Sequence, residues 1–389
     1  MTEPTYLDHA ASAPVRAEVR DAMLPLLGEL HGNPSSAHAA GRAAKTALER
    51  ARREVAAAVH ADPAQVFFTS GGTEADNLAV LGAVLAARRN GRAPIAVVSA
   101  VEHKAVLAAA HAAASLGGTD VVLPVTTSGA VEMASLDEAL AQHPAVVSVM
   151  WVNNETGVTA DIAALAFRCA AADVPFHSDA VQALRYLRVP FTEAPLDLLT
   201  ISGHKLGAPK GIGALVVRSR ALLEPLVHGG AQQFALRPGT ENVAGAVGLG
   251  VAMRIAAAER MSEAPRLAAL RDALERQVLA AVPDAQIVAA EAPRVPHISA
   301  IVVPGADTAA LLMHLDRLGI CASGGSACTT GSPEPSHVLQ AMGLPRELSL
   351  GFVRFSLGRE TTAADIAAAA AAFPEAVARA RRSAGALHG

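Results

Sequence analysis

The stretch Leu199-Thr200-Ile201-Ser202-Gly203-His204-Lys205, followed by Pro209-Lys210-Gly211-Ile212-Gly213 and the apolar run Ala214-Leu215-Val216-Val217, decides how this chain is read. An apolar, strand-like segment ends in small and polar residues, presents a lysine with a histidine before it, and turns on Pro and Gly into a second strand. Lys205 is thereby placed on a tight loop. Partial desolvation or a neighbouring cation lowers the pKa of a lysine and frees its amine, so Lys205 is a candidate imine-forming nucleophile. A lone lysine in a turn is more often a solvated surface group. What gives this one meaning is the company it keeps at other strand ends.

Working outward, short β-rich runs recur at Val66-Phe67-Phe68, Ile95-Ala96-Val97-Val98, Asp120-Val121-Val122-Leu123, Val146-Val147-Ser148-Val149, Val174-Pro175-Phe176 and Leu196-Asp197-Leu198-Leu199, mostly separated by helical stretches. Apolar strands alternating with helices predict an α/β fold, a mainly parallel seven-stranded sheet covered by helices. Such sheets bind ligands beyond the carboxyl ends of their strands. Upstream, Tyr6 to Pro14 reads as an extended arm, with a helix from about Val15, a Gly/Pro/Ser loop at His31 to Ser36, and an amphipathic helix over Gly41 to His60. Past about residue 260 the pattern changes to a long Leu/Ala/Arg-rich helix, a strand at Ile298 to Val303 and a helix over Thr308 to Leu318. A Gly/Ser loop from Ser323 to Pro335, a strand at Phe352 to Ser356 and an alanine-rich terminal helix complete a smaller α+β unit. The expected division is a large domain over 14–258 and a small domain made of 1–13 and 259–389.

At 389 residues the chain exceeds the size at which one core usually suffices. A formal charge of −4, from 32 basic and 36 acidic residues, gives no electrostatic footprint for nucleic acid or an anionic membrane. Three cysteines, Cys169, Cys321 and Cys328, are too few for a disulfide framework or a four-ligand zinc site, which fits a reducing cytosol with no metal expected. The first residues lack a basic region followed by an apolar one, and no uncharged apolar run reaches the roughly 18 residues of a membrane span. A cytoplasmic location is expected.

The strand ends carry the chemistry. Thr69-Ser70-Gly71-Gly72-Thr73-Glu74 is a glycine turn into a helix start, where free N–H groups and the positive dipole end can hold a phosphate at Gly72 and Thr73. Thr73 could also simply cap its helix. His103, in Glu102-His103-Lys104, can stack on a flat ring or move protons near neutral pH. Asn154, in Asn153-Asn154-Glu155-Thr156-Gly157, can bond a ligand oxygen. Asp179, three residues past Val174-Pro175-Phe176, can keep a pyridine nitrogen protonated, although a helix N-cap would look the same. Phosphate cradle, ring stacker, amide, acid and lysine, in that order, match a pyridoxal phosphate site.

With these residues in view, the sequence resembles the cysteine desulfurases of the class V aminotransferase family, the NifS/IscS-like branch that supplies sulfur for iron–sulfur clusters and tRNA thiolation. The resemblance runs from about Tyr6 to the final helix. It rests on Leu7-Asp8-His9-Ala10-Ala11, Gly32-Asn33-Pro34-Ser35-Ser36, the segments above, Gly324-Gly325-Ser326-Ala327-Cys328 and Arg354-Phe355-Ser356-Leu357-Gly358. It implies the fold type I architecture of pyridoxal phosphate enzymes. Lys205 would hold the cofactor and act as the base, Asp179 would pair with the pyridine nitrogen, Gln182 with the ring hydroxyl, and His103 would stack on the ring. Thr73, Ser202 and His204 would hold the phosphate, with Thr240 reaching in from the second subunit of a homodimer. Asn154 and Arg354 would receive the carboxylate of L-cysteine, with Asn33 contributing. Cys328 would accept the sulfur as a persulfide, L-alanine would leave, and a sulfur-acceptor protein would follow. Relatives acting on selenocysteine or cysteine sulfinate are the alternative.

The glycines at 324, 325 and 331, with Ser, Thr and Pro between them, suit a mobile, exposed thiol at Cys328, whereas Cys169 and Cys321 suit a core. The chain departs from the commoner pattern at Ser12-Ala13, where threonines are frequent. Near Gln232-Gln233 it lacks the basic residues often seen before Arg-x-Gly-Thr, and its C-terminal tail, which in this family often helps dock a cluster scaffold, is short.

Overall fold

The computed structural model describes residues 4–325 and 335–387, with side chains to residue 383; Cys328 lies outside the described residues. The chain opens with β1 (Thr5–Tyr6), the arm, α1 (Ala17–Leu27) and α2 (Ala39–Ala58). It continues through β2 (Val66–Thr69), α3 (Gly72–Arg89), β3 (Ile95–Ser99), α4 (Lys104–Ser115), β4 (Thr119–Leu123), α5 (Met133–Leu140), β5 (Val146–Ser148), α6 (Ile162–Ala171) and β6 (Phe176–Asp179). Then come β7 (Leu198–Ser202), a single 3₁₀ turn at Gly203–Lys205, β8 (Gly213–Val217) and α7 (Val243–Ala281). The remainder is β9 (Gln286–Ile287), β10 (Ile298–Val302), α8 (Thr308–Arg317), β11 (Ile320–Cys321), α9 (His337–Ala341), α10 (Arg346–Ser349), β12 (Phe352–Ser356) and α11 (Ala363–Leu387).

The main sheet has seven strands in the order β2-β8-β7-β6-β5-β3-β4. β8 runs antiparallel to both its neighbours, β2 and β7, and the other pairings are parallel. Alternate strand residues enter two different cores because side chains point to opposite faces in turn. Phe68, Val97, Val147, Leu199, Ile201 and Val216 pack on one face with α2, α6 and α7. Phe67, Val98, Val146, Leu198, Leu215 and Val217 pack on the other with α3 and α4. Both faces being covered explains why the strands read as continuous apolar runs.

A three-stranded antiparallel sheet, β12-β10-β9, forms the second layer with α8, α11 and the distal part of α7. α7 joins the two cores: Leu249 and Met253 lie in the first, Leu267, Leu274 and Val278 in the second. The helix therefore begins well before the compositional change near residue 260 and passes through the expected boundary without a break. The arm also crosses between them. β1 pairs in parallel with β11, Asp8 bridges to Ser356, and Leu7 is fully buried in the second core.

Two local expectations shift. Helix α1 starts at Ala17 rather than about Val15, and α2 covers Ala39–Ala58 rather than 41–60. Strand β6 runs on from Phe176 through His177 and Ser178 to Asp179. His177 sits comfortably in this buried strand because it is satisfied on both sides, by Ser148 Oγ at 2.8 Å and Thr200 Oγ1 at 3.0 Å.

Candidate active site

The carboxyl ends of the parallel strands converge on one edge, and the chemistry-bearing residues gather there. Beyond β2, the Gly71-Gly72 turn packs against β7 and β8. A Cβ added at Gly72 would lie 3.3 Å from Ser202 Cβ and 3.7 Å from its Oγ, and one at Gly213 would lie 2.7 Å from Gly71 Cα. Gly213 leaves no room for a side chain and Gly72 very little, and the N-terminus of α3 stays open beside the Ser202 hydroxyl. Gly71, not Thr73, is the N-cap of α3, and it makes no side-chain cap.

Asp179 is the last residue of β6, buried, with Oδ1 accepting from the Val181 N–H at 2.8 Å. No helix follows, so the N-cap reading fails: the carboxylate closes a turn at a strand end. Burial pushes its pKa up, opposed by the Val181 N–H and by the positive charges of His103 and Lys205. The backbone N–H of Trp151, the chain's one tryptophan, donates to Asp179 O at 2.8 Å. His103 is the N-cap of α4. Its Nδ1 accepts from the Ala105 N–H at 3.1 Å, so the neutral ring carries its proton on Nε2. Burial holds its pKa below the ordinary value, counteracted by Asp179.

Lys205 ends the 3₁₀ turn after β7. Its Nζ donates to Ala10 O and Ala11 O, both at 2.7 Å. Burial, reinforced by the Arg354 guanidinium, brings its pKa down to about 8. That is the desolvated lysine beside a cation which the sequence suggests. His204 Nδ1 lies 3.3 Å from Ser12 Oγ, and its pKa falls to about 4 through burial and the lysines at 205 and 210. Gln182 Nε2 donates to Ala10 O at 2.9 Å. Arg354, on β12, donates from Nη1 to Asn154 O and from Nη2 to Asp8 Oδ1, each at 2.7 Å.

The structure thus brings together Gly72, Ser202, His204, Lys205, Asp179, Gln182, His103, Asn154 and Arg354. It does not bring in Asn33 or Thr240. Asn33 is exposed and its Oδ1 accepts from the Ser35 N–H, while Thr240 is exposed in the isolated chain. The donor set suits pyridoxal phosphate: open backbone N–H groups and Ser202 for an anion, a buried carboxylate for a ring nitrogen, and a depressed lysine for an aldehyde.

Three further acids, buried or half-buried, carry no role in the sequence motifs. Asp8 pairs with Arg354, and Glu102 Oε1 accepts from Ser99 Oγ at 2.6 Å and from the Met150 N–H at 2.7 Å. Burial lifts the Glu102 pKa to about 8. Asp76, one turn into α3, is buried and held well above the usual carboxylate range, first by burial and then by Asp179. The available signal was a charged residue beside each motif: Asp8 in Leu7-Asp8-His9, Asp76 after Glu74, and Glu102 before His103.

A family model for class-V aminotransferases matches residues 5–368, and the chain belongs to that family. It is 42% identical to the cysteine desulfurase IscS of Dictyoglomus turgidum over 94% of this chain and 92% of that one. To the IscS-like cysteine desulfurase of Mycobacterium tuberculosis it is 42% identical, over 97% and 98% respectively. A solved NifS-like protein superposes with a TM-score of 0.89 at 29% identity, over 96% of this chain and 99% of that chain. A NifS-like protein from Rickettsia africae gives 0.85 at 32%, with the same coverage. Within the family the chain stands among the cysteine desulfurases, with the fold type I architecture.

Proposed function

We propose that this enzyme converts L-cysteine to L-alanine and retains the sulfur as a persulfide on Cys328. The observation that carries the reading is the position of Lys205 after β7: its amine, bonded to Ala10 O and Ala11 O, lies within electrostatic reach of both the buried acid Asp179 and the Arg354 guanidinium. Pyridoxal phosphate, when bound, supplies an aldehyde for the substrate amine and an electron-withdrawing ring. Asp179 holds the ring nitrogen, Gln182 the ring hydroxyl and His103 the ring face. Gly72, Thr73, Ser202 and His204 hold the phosphate, and Thr240 of a second subunit completes that site in a homodimer.

Arg354 and Asn154 hold the α-carboxylate and so orient the substrate. Lys205 Nζ, with its pKa lowered to about 8, takes and returns the Cα proton. Cys328 Sγ, as thiolate, attacks the substrate sulfur. An S–S bond forms, the Cβ–S bond breaks, its electron pair stays on Cβ, and protonation there gives the methyl group of alanine. The persulfide then passes to a sulfur-acceptor protein for iron–sulfur cluster assembly or tRNA thiolation. A cytoplasmic setting and a division into domains near residue 258 belong to the same reading. Among the described residues no helix is long and apolar enough to cross a membrane.

The test is alanine release from L-cysteine with a thiol reductant, comparing the native chain with Cys328→Ala at equal cofactor occupancy. Alanine from the former and little from the latter is the expected result. Alanine from both would remove Cys328 from the mechanism, and alanine from neither would overturn the choice of substrate.

A further inference from the structure

The N-terminal arm is a strap over the site. Between Asp8 and Ser12 it touches four residues from three distant parts of the chain: Arg354 through Asp8, Lys205 and Gln182 through Ala10 O, Lys205 again through Ala11 O, and His204 through Ser12 Oγ. The strap is tied at its middle by the Ala10 N–H donating to Ser356 Oγ at 2.9 Å. Three of these contacts use backbone carbonyls, which any residue could offer; Ser12 and Asp8 use side chains, and of the two Asp8 supplies charge.

Arg354 is buried, and each of its two terminal nitrogens already has a partner, Asn154 O on Nη1 and Asp8 Oδ1 on Nη2. Among the described residues its Nε–H is buried with no partner. A buried donor without a partner is costly, and its presence in a fixed guanidinium marks the place where a ligand oxygen belongs. The guanidinium is a rigid five-donor plane. Pinning both Nη atoms fixes its orientation and leaves Nε–H as an open donor for a carboxylate.

We propose that Asp8 is a positioning residue for the substrate carboxylate: by holding Arg354 Nη2 it fixes the guanidinium plane and keeps its Nε–H the unpaired donor. This rests on the reading of Arg354 given above. It also places a second anion near Lys205. The charged and titratable groups facing Lys205 are Asp8 on the arm, Arg354 on β12, Asp179 on β6, and His103 and His204 at the neighbouring strand ends. Asp8 and Asp179 favour the ammonium, while Arg354 and the burial oppose it.

The experiment uses the cofactor-loaded enzyme and the isosteric Asp8→Asn. Two readouts are taken: binding of L-cysteine and of cysteamine, which lacks the carboxylate, by change in cofactor absorbance; and the pH midpoint of that absorbance without substrate. Asp8→Asn should weaken L-cysteine about tenfold, the scale of one charge-assisted hydrogen bond, and leave cysteamine within twofold. The pH midpoint should move down, because an anion favouring the protonated form is gone. Asp8→Glu, which keeps the charge but moves it, should weaken L-cysteine and leave the midpoint near the native value. Equal weakening of both amines, or no weakening of L-cysteine, overturns the proposal. If the native enzyme released no alanine, the desulfurase reading would fail, while the absorbance readouts would still decide the role of Asp8.

Discussion

Gly72→Ala separates the anion cradle from the stability of the fold. The added Cβ would stand 3.3 Å from Ser202 Cβ and from Val181 Cγ2, a contact that forces a shift of a few tenths of an ångström. In the apoenzyme two small effects oppose each other. Alanine favours the helix over glycine by up to about 1 kcal/mol, and the tight contact costs about the same. Apoenzyme stability should therefore change by less than about 1 kcal/mol. Anion binding has no such compensation, because the methyl group occupies the space between the α3 N–H groups and Ser202. Loss of one charge-assisted hydrogen bond is worth about 1.5–3 kcal/mol, or roughly ten- to a hundredfold in Kd. Trp151, bonded through its backbone to Asp179, gives the fluorescence signal for titrating apoenzyme with pyridoxal phosphate. Pyridoxal, without the phosphate, serves as control, and urea unfolding measures stability. Weakening of both ligands by the same factor, or of neither, would refute the placement of the phosphate at Gly72.

Three further outcomes follow from the structure. Gln233, Phe234 and Ala235 hold successive φ values of 44°, 57° and 62°, so Ala235→Gly should raise stability by up to about 1 kcal/mol in urea unfolding; a loss would contradict the left-handed turn. Glu102, its pKa raised to about 8 in the fold, holds a proton that the unfolded chain releases above about 4.5. It therefore makes stability fall as pH rises through that window, by at most about 1.4 kcal/mol per pH unit. Glu102→Gln, which mimics the neutral form, should flatten the pH 5–8 dependence of urea unfolding, and an unchanged slope would show that Glu102 is ionised. Phe373, fully buried with its ring 6.0 Å from that of Phe355, anchors α11 to β12, and Phe373→Ala should cost about 3–5 kcal/mol by denaturant titration.

Much of the large sheet was legible because burial on both faces writes itself as apolar runs, and the polar residues just after those runs stand out. Lys205, Asp179 and His103 were found in that way. Asp179 was placed beyond its strand rather than in it, since His177 and Ser178 look like loop residues until their partners on β5 and β7 are known. Glu102 and Asp76 look like ordinary helix-flanking acids, and only burial distinguishes them. Asp8 could not be recognised locally, because its partner Arg354 lies 346 positions away in the chain. Thr240 and Asn33 follow from family resemblance alone, and nothing among the described residues of one chain joins them to the cluster.

The strap sets an order on biosynthesis. Residues 5–12 are made long before the strands they meet, since β1 pairs with β11 and Asp8 bridges to Ser356. Closing a loop of that length gains nothing until the last strands exist. The large sheet and its glycine turn can form while the chain is still being synthesised. Lys205, however, receives its two carbonyl partners, and Arg354 its counter-ion, only when β12 has emerged. The ribosome-bound chain therefore carries the parts of the site without a working arrangement of them until β12 has been made.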